Sequence, residues 1–109
     1  MRHHKNLTEE RWQKLSFFDQ MANVGSEVGR AIKRRNKRNI GYSRLSFERA
    51  LELMDLTISD AKNIERLREL TRVRESLADY FEGTNICDSS DESWENYFLA
   101  FNHAARRRS

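Results

Sequence analysis

The sequence predicts an all-α protein, an up-and-down bundle of four principal helices preceded by a short N-terminal helix. Three observations carry that expectation. Proline is absent and glycine occurs only four times in 109 residues, so the turn punctuation of an all-β sandwich or barrel is missing. Apolar side chains recur at intervals of three and four along most of the chain, the period of an amphipathic helix. Ser, Thr or Asp residues stand just ahead of these apolar runs, where helix N-caps belong. The length suits one domain, expected over residues 8–109 behind a flexible tail at 1–7. With 38% hydrophobic and 34% charged residues, the chain is apolar enough to fold and polar enough to stay in water.

Each element has its own signature. The tail holds His3-His4, which reads as frayed chain rather than a metal site. Thr8 can cap a short helix with Glu9 and Glu10 in its first turn and Trp12 and Leu15 on one face. Ser16, three before Asp19, approximates a capping box and opens a long helix to about Asn36. Along that helix Phe18, Met21, Val28 and Ile32 share a stripe. Ala22, Gly25, Ser26 and Gly29 lie beside the stripe. They predict close approach of another helix, which offsets the helix-propensity cost of two interior glycines. No strand precedes Gly25-Ser26, so a phosphate-binding turn there is not favoured.

Asn39-Ile40-Gly41 is the expected break, followed by a third helix from about Tyr42 to Thr57. Phe47, Ala50, Leu51, Met54 and Ile58 form its apolar row, and Leu45, Leu53 and Leu56 widen it, which predicts a central position. Residues 46–53 resemble the second helix of a tetratricopeptide repeat, but no further copy follows at the required period. Ser59 or Asp60 caps a fourth helix reaching about Phe81, with Ile64, Leu67, Leu70, Val73, Leu77, Tyr80 and Phe81 expected inward and Gly83 as its stop. After a polar loop, Ser89 and Glu92 form a capping box for a fifth helix, on which Trp94, Phe98, Phe101 and Ala105 repeat.

Composition and motifs exclude several chemistries. A single cysteine, Cys87, excludes an internal disulfide or a multi-cysteine zinc site. No membrane-length apolar run and no secretory leader is visible, so the cytoplasm is the expected compartment and no membrane association is expected. Cys87 stands beside Asp88, a setting that disfavours a thiolate. The arginine-to-histidine spacing of the HEPN ribonucleases is missing ahead of His103, which leaves a nuclease using His103 and Arg106 only as a remote option. No catalytic residue, metal or cofactor is expected.

Charge is unevenly spread. The stretch 30–38 holds six basic residues and no acid. On a helix, Arg30, Lys33, Arg34, Lys37 and Arg38 fall opposite the apolar stripe, with Arg35 at its border. They form a candidate face for a polyanion or an acidic partner, although cations near a helix C-terminus also complement its dipole. Arg106, Arg107 and Arg108 could extend it. No Lys or Arg occurs between Arg74 and Arg106, while Asp79, Glu82, Asp88, Asp91, Glu92 and Glu95 do. A chain so divided is expected to be electrically two-ended and able to pair with a second copy of itself.

The words Ala22-Asn23-Val24-Gly25-Ser26-Glu27-Val28-Gly29-Arg30-Ala31 and Glu48-Arg49-Ala50-Leu51-Glu52-Leu53-Met54-Asp55-Leu56-Thr57 carry a resemblance. Leu67-Arg68-Glu69-Leu70-Thr71-Arg72 and Asp79-Tyr80-Phe81 continue it. They resemble an uncharacterised family of small prokaryotic all-helical proteins, over most of the chain from Trp12 to Arg106. The resemblance implies one helical unit and no particular activity, and directs attention to Ser26, Glu27, Arg30, Asp55 and Arg72 as a polar site. The expected function is a non-enzymatic interaction module that binds a protein partner and self-associates. The alternative is nucleic-acid binding through the basic face Arg30–Arg38, although no helix-turn-helix, zinc finger or stacking platform accompanies it.

Overall fold

A computed structural model describes residues 9–107, and these are all-α, with no strand among them. The helices are α1 (Glu9–Gln13), α2 (Phe17–Asn36), α3 (Ile40–Ser59), α4 (Leu67–Glu82) and α5 (Asp91–Arg107), and a 3₁₀ segment, Ala61–Arg66, leads into α4. The tail with His3-His4, the Thr8 cap and Arg108 lie outside the described residues. Among the described residues no helix is long and apolar enough to cross a membrane.

Ser16 caps α2 as expected. Its hydroxyl accepts from the Asp19 N–H at 3.0 Å and donates to the Asp19 carboxylate at 2.8 Å. The buried row of α2 is Phe17, Met21, Val24, Val28, Ala31 and Ile32. Phe17 therefore takes the first inward position and Phe18 is only partly covered. The reason is phase: 17, 21, 24, 28 and 31 step by four and three along one stripe, which Phe18 overshoots. Gly25 earns its place, because a Cβ there would stand 2.7 Å from Phe98 Cβ on α5. Nothing lies within 4 Å of a Cβ at Gly29, so the expected close approach holds at one glycine of the two.

The break between α2 and α3 falls at Lys37–Asn39, earlier than expected. Arg38 adopts φ 63°, and the Asn39 N–H reaches back to the Arg34 carbonyl at 2.8 Å. With the left-handed turn made by Arg38, α3 starts at Ile40 and Gly41 is simply helical. Ser43 ties the hairpin by donating to the Ala31 carbonyl at 2.7 Å. Phe47, Ala50, Leu53, Met54 and Leu56 are buried, and α3 packs against α1, α2, α4 and the 3₁₀ segment. The broad apolar circumference of α3 has its explanation in those neighbours.

Asp60 caps the next segment by accepting from the Lys62 N–H at 3.0 Å. The chain then runs as 3₁₀ to Arg66, and this overturns two expectations. Ile64 and Leu67, expected inward, are 69% and 40% exposed. At three residues per turn the inward phase slips, and Asn63 is drawn inside instead. Its amide donates to Gln20 Oε1 at 2.9 Å and to the Thr57 carbonyl at 3.0 Å. Gln20 in turn donates to the Trp12 carbonyl at 3.0 Å and to the Asp60 carboxylate at 2.8 Å. The Trp12 indole donates to Thr57 Oγ1 at 3.1 Å. This buried polar network joins α1, α2, α3 and the 3₁₀ segment at one end of the core.

Leu70, Val73 and Leu77 bury the inner face of α4. Asp79 then fixes the loop that follows. Its carboxylate accepts from the N–H groups of Ile86 and Cys87, each at 3.0 Å, and these backbone bonds hold its pKa below the usual carboxylate range. α5 begins one residue later than expected. Ser90 and Ser93 exchange N–H to Oγ bonds at 3.1 and 2.9 Å, whereas Ser89 is held by the Asn85 side chain through two bonds of 2.9 Å.

Candidate functional site

α5 packs on α2 and α4 packs on α3, and an open groove of about 950 Å³ separates α4 from α5. One wall is a polar stripe of the 3₁₀ segment and α4: Glu65, Arg68, Arg72 and Ser76 at spacings of three and four, with Glu69 beside them. The other wall is Ser93, Trp94 and Tyr97 of α5, and Val73 joins them at the floor. One hydrogen bond bridges the groove. The Tyr97 phenol donates across it to Glu69 at 3.2 Å; burial, with Glu69 beside it, raises the phenol pKa, so it remains a donor. Cys87 lines the groove as well, and the Ser76 hydroxyl donates to its sulfur at 3.6 Å.

Two features mark this groove. Trp94 is only 7% exposed, yet its indole N–H meets no acceptor among the described residues. A buried donor left without a partner is costly and uncommon. Arg68 and Arg72, one turn apart on α4, belong to none of the ion pairs found among the described residues, whereas other cations of the groove lining are occupied. Lys62 pairs with Asp60, and the Arg66 guanidinium lies 4.1 Å from the Phe17 ring centroid.

The basic face of α2 is smaller than the sequence suggests. Arg30 pairs at 2.6 Å with Glu27, whose side chain is buried. Arg34 donates to Ser46 Oγ at 2.7 Å and lies over the Tyr42 ring. Arg35 pairs with Asp91 and lies over Tyr80 and Phe81. Arg30, although paired, stays exposed, as do Lys33, Lys37 and Arg38. The Arg35–Asp91 pair joins the two charge blocks within one chain, so the expected electrical division is partly neutralised.

Residues singled out by the family resemblance lie on separate faces. The Ser26 hydroxyl folds back to the Ala22 carbonyl at 3.2 Å, and Glu27 and Arg30 form their pair on α2. Asp55 takes two bonds from Arg74 on α4, at 2.6 and 3.3 Å. Arg72 alone lines the groove. Sequence reasoning missed the rest of the groove: its stripe reads as an ordinary solvated helix face, although the regular spacing of Glu65, Arg68, Arg72 and Ser76 was there to see. His103 and Arg106 are exposed on α5. Among the described residues no group of three or more His, Cys, Asp or Glu side chains could hold a metal ion. No family model, curated protein or solved structure matches the chain.

Proposed function

We propose that this chain is a non-enzymatic, cytoplasmic interaction module that holds a helical segment of protein in the groove between α4 and α5. The observation that carries the reading is the open groove itself, in which a charged stripe of α4 faces the aromatic side chains Trp94 and Tyr97 of α5. The lining supports a peptide more than a small apolar ligand. Ligand pockets are mostly apolar with a few polar groups, whereas here Val73, Trp94 and Tyr97 stand among six charged side chains. A helix with apolar and charged faces satisfies both parts of such a lining. The contacts Gln20–Asp60, Asp55–Arg74 and Glu69–Tyr97 support an up-and-down course for the four principal helices, with the groove as the seam at which the bundle stays open.

A photo-crosslinking residue at Ser76, in the groove, and another at Asn23, exposed on α2, test the reading in cells. The groove position is expected to give a discrete protein adduct and the α2 position none. Equal adducts from both positions, or none from either, would contradict it.

A second reading, contact with nucleic-acid phosphates, draws on the exposure of Lys33, Lys37 and Arg38 at the end of α2. It predicts a steep loss of affinity with salt and abolition of binding when all three are changed to Glu.

A further inference from the structure

We propose that the helix filling the groove is α4 of a second copy of this chain, lying antiparallel to the first about a two-fold axis that passes between Arg68 and Glu69. The inference rests on reading the groove as a helix-binding face. Its ground is the order of charges on the groove wall. Glu65, Arg68, Glu69 and Arg72 alternate minus, plus, minus, plus along the stripe. Read from the other end, the order is reversed in sign. Two such stripes laid antiparallel set Arg68 against the partner's Glu69 and Arg72 against the partner's Glu65, the converse pairs follow by symmetry, and Glu69 exchanges its bond from Tyr97 for this pairing as the groove fills. Laid parallel and in register, they would set like charge against like.

A two-fold interface uses the same patch on both subunits, so the patch must complement itself. This stripe does, and Arg68 and Arg72 have no ion pair of their own among the described residues. Exposed ion pairs add little affinity but select register and partner. Contact with Trp94 and Tyr97 of the facing wall and with the aliphatic stems of Arg68 and Arg72 supplies the association, in keeping with the aromatic-rich core of known interfaces.

Size-exclusion chromatography with light scattering tests the proposal on three proteins: wild type, Arg68→Glu/Arg72→Glu and Glu65→Arg/Glu69→Arg. Circular dichroism verifies that each remains helical. Wild type is expected at twice the 13.0 kDa chain mass, and each variant alone at one chain mass. An equimolar mixture of the two variants regains the two-chain species, containing one of each. Monomeric wild type at high micromolar concentration, unimpaired dimerisation of both variants, or a mixture that stays monomeric overturns the proposal. A monomeric wild type whose Ser76 position still crosslinks to a different protein overturns the second copy alone. Absence of any adduct removes the groove reading with it.

Discussion

Arg35, in the last turn of α2, meets Asp91, the first residue of α5, at 2.5 Å. The pair places a cation at one helix C-terminus and an anion at another helix N-terminus, both favourable to the helix dipoles. Tyr80 and Asn36 also donate to Asp91, so one carboxylate joins α2, α4 and α5. Replacing it strands a guanidinium, a phenol and an amide at a partly covered site. Asp91→Ala is expected to cost about 1–2 kcal/mol, less than a fully buried charged hydrogen-bond hub would. Urea denaturation measures it, and a change within error of zero would remove Asp91 from that role.

Acid sensitivity follows from the same carboxylate and from Asp60. Burial alone would raise both pKa values. At Asp91 the bonds from Tyr80, Arg35 and Asn36 outweigh it, and at Asp60 those from Lys62 and Gln20 do, so both groups sit below the usual carboxylate range. A folded-state pKa below the unfolded one stabilises the fold fully above the unfolded value, about 3.9, and is lost as pH falls through the folded value. The melting temperature is therefore expected to fall progressively below about pH 4. In Asp91→Asn the fall should be shallower; an identical slope would contradict the assignment.

Two glycines on one helix predict opposite signs. At Gly25 a methyl group would meet Phe98 Cβ at 2.7 Å, and the backbones of α2 and α5 would have to part. Gly25→Ala is expected to destabilise by about 1–3 kcal/mol, the usual cost of overpacking. At Gly29 the added methyl meets open space, so Gly29→Ala should stabilise by roughly 0.5–1 kcal/mol through helix propensity. Thermal melts of the two variants settle the contrast, and the same sign for both would contradict the packing described.

The network around Gln20 is expected to be intolerant of a shape-conserving apolar replacement. Gln20→Leu would leave the Asp60 carboxylate, the Asn63 amide and the Trp12 carbonyl each short of a partner in a buried site. A loss of about 2–4 kcal/mol is expected, since several buried polar groups lose partners together. Stability equal to wild type would show that water replaces the amide there.

Most of the core was legible in the sequence because it follows one rule. Met21, Val28, Phe47, Leu70, Leu77 and Phe98 repeat at helical spacing, and each is buried. Ile64 and Leu67 obey the same pattern and face outward, because three residues of 3₁₀ turn do not advance the phase as α-helix does. Nothing local announces that change beyond the cap at Asp60. Gln20 and Asn63, 43 positions apart, are inside because they hydrogen-bond each other, a relation that periodicity assigns to the surface. The groove was hidden for the complementary reason: a polar stripe looks alike whether it meets water or another helix, and the phase of α4 decides which. Arg72 was the one lining residue that the sequence offered as part of a polar site.

The two tryptophans offer the most direct test of the groove. The Trp12 indole N–H is bonded to Thr57, whereas that of Trp94 has no acceptor among the described residues. In ¹H–¹⁵N spectra the two indole signals are separate reporters of the core and of the groove wall. As the chain is concentrated, the Trp94 signal is expected to shift while the Trp12 signal stays in place, and in Arg68→Glu/Arg72→Glu neither should move. A Trp94 signal that stays fixed under concentration and with every crosslinked partner, or one that moves only together with Trp12, would contradict a helix-filled groove.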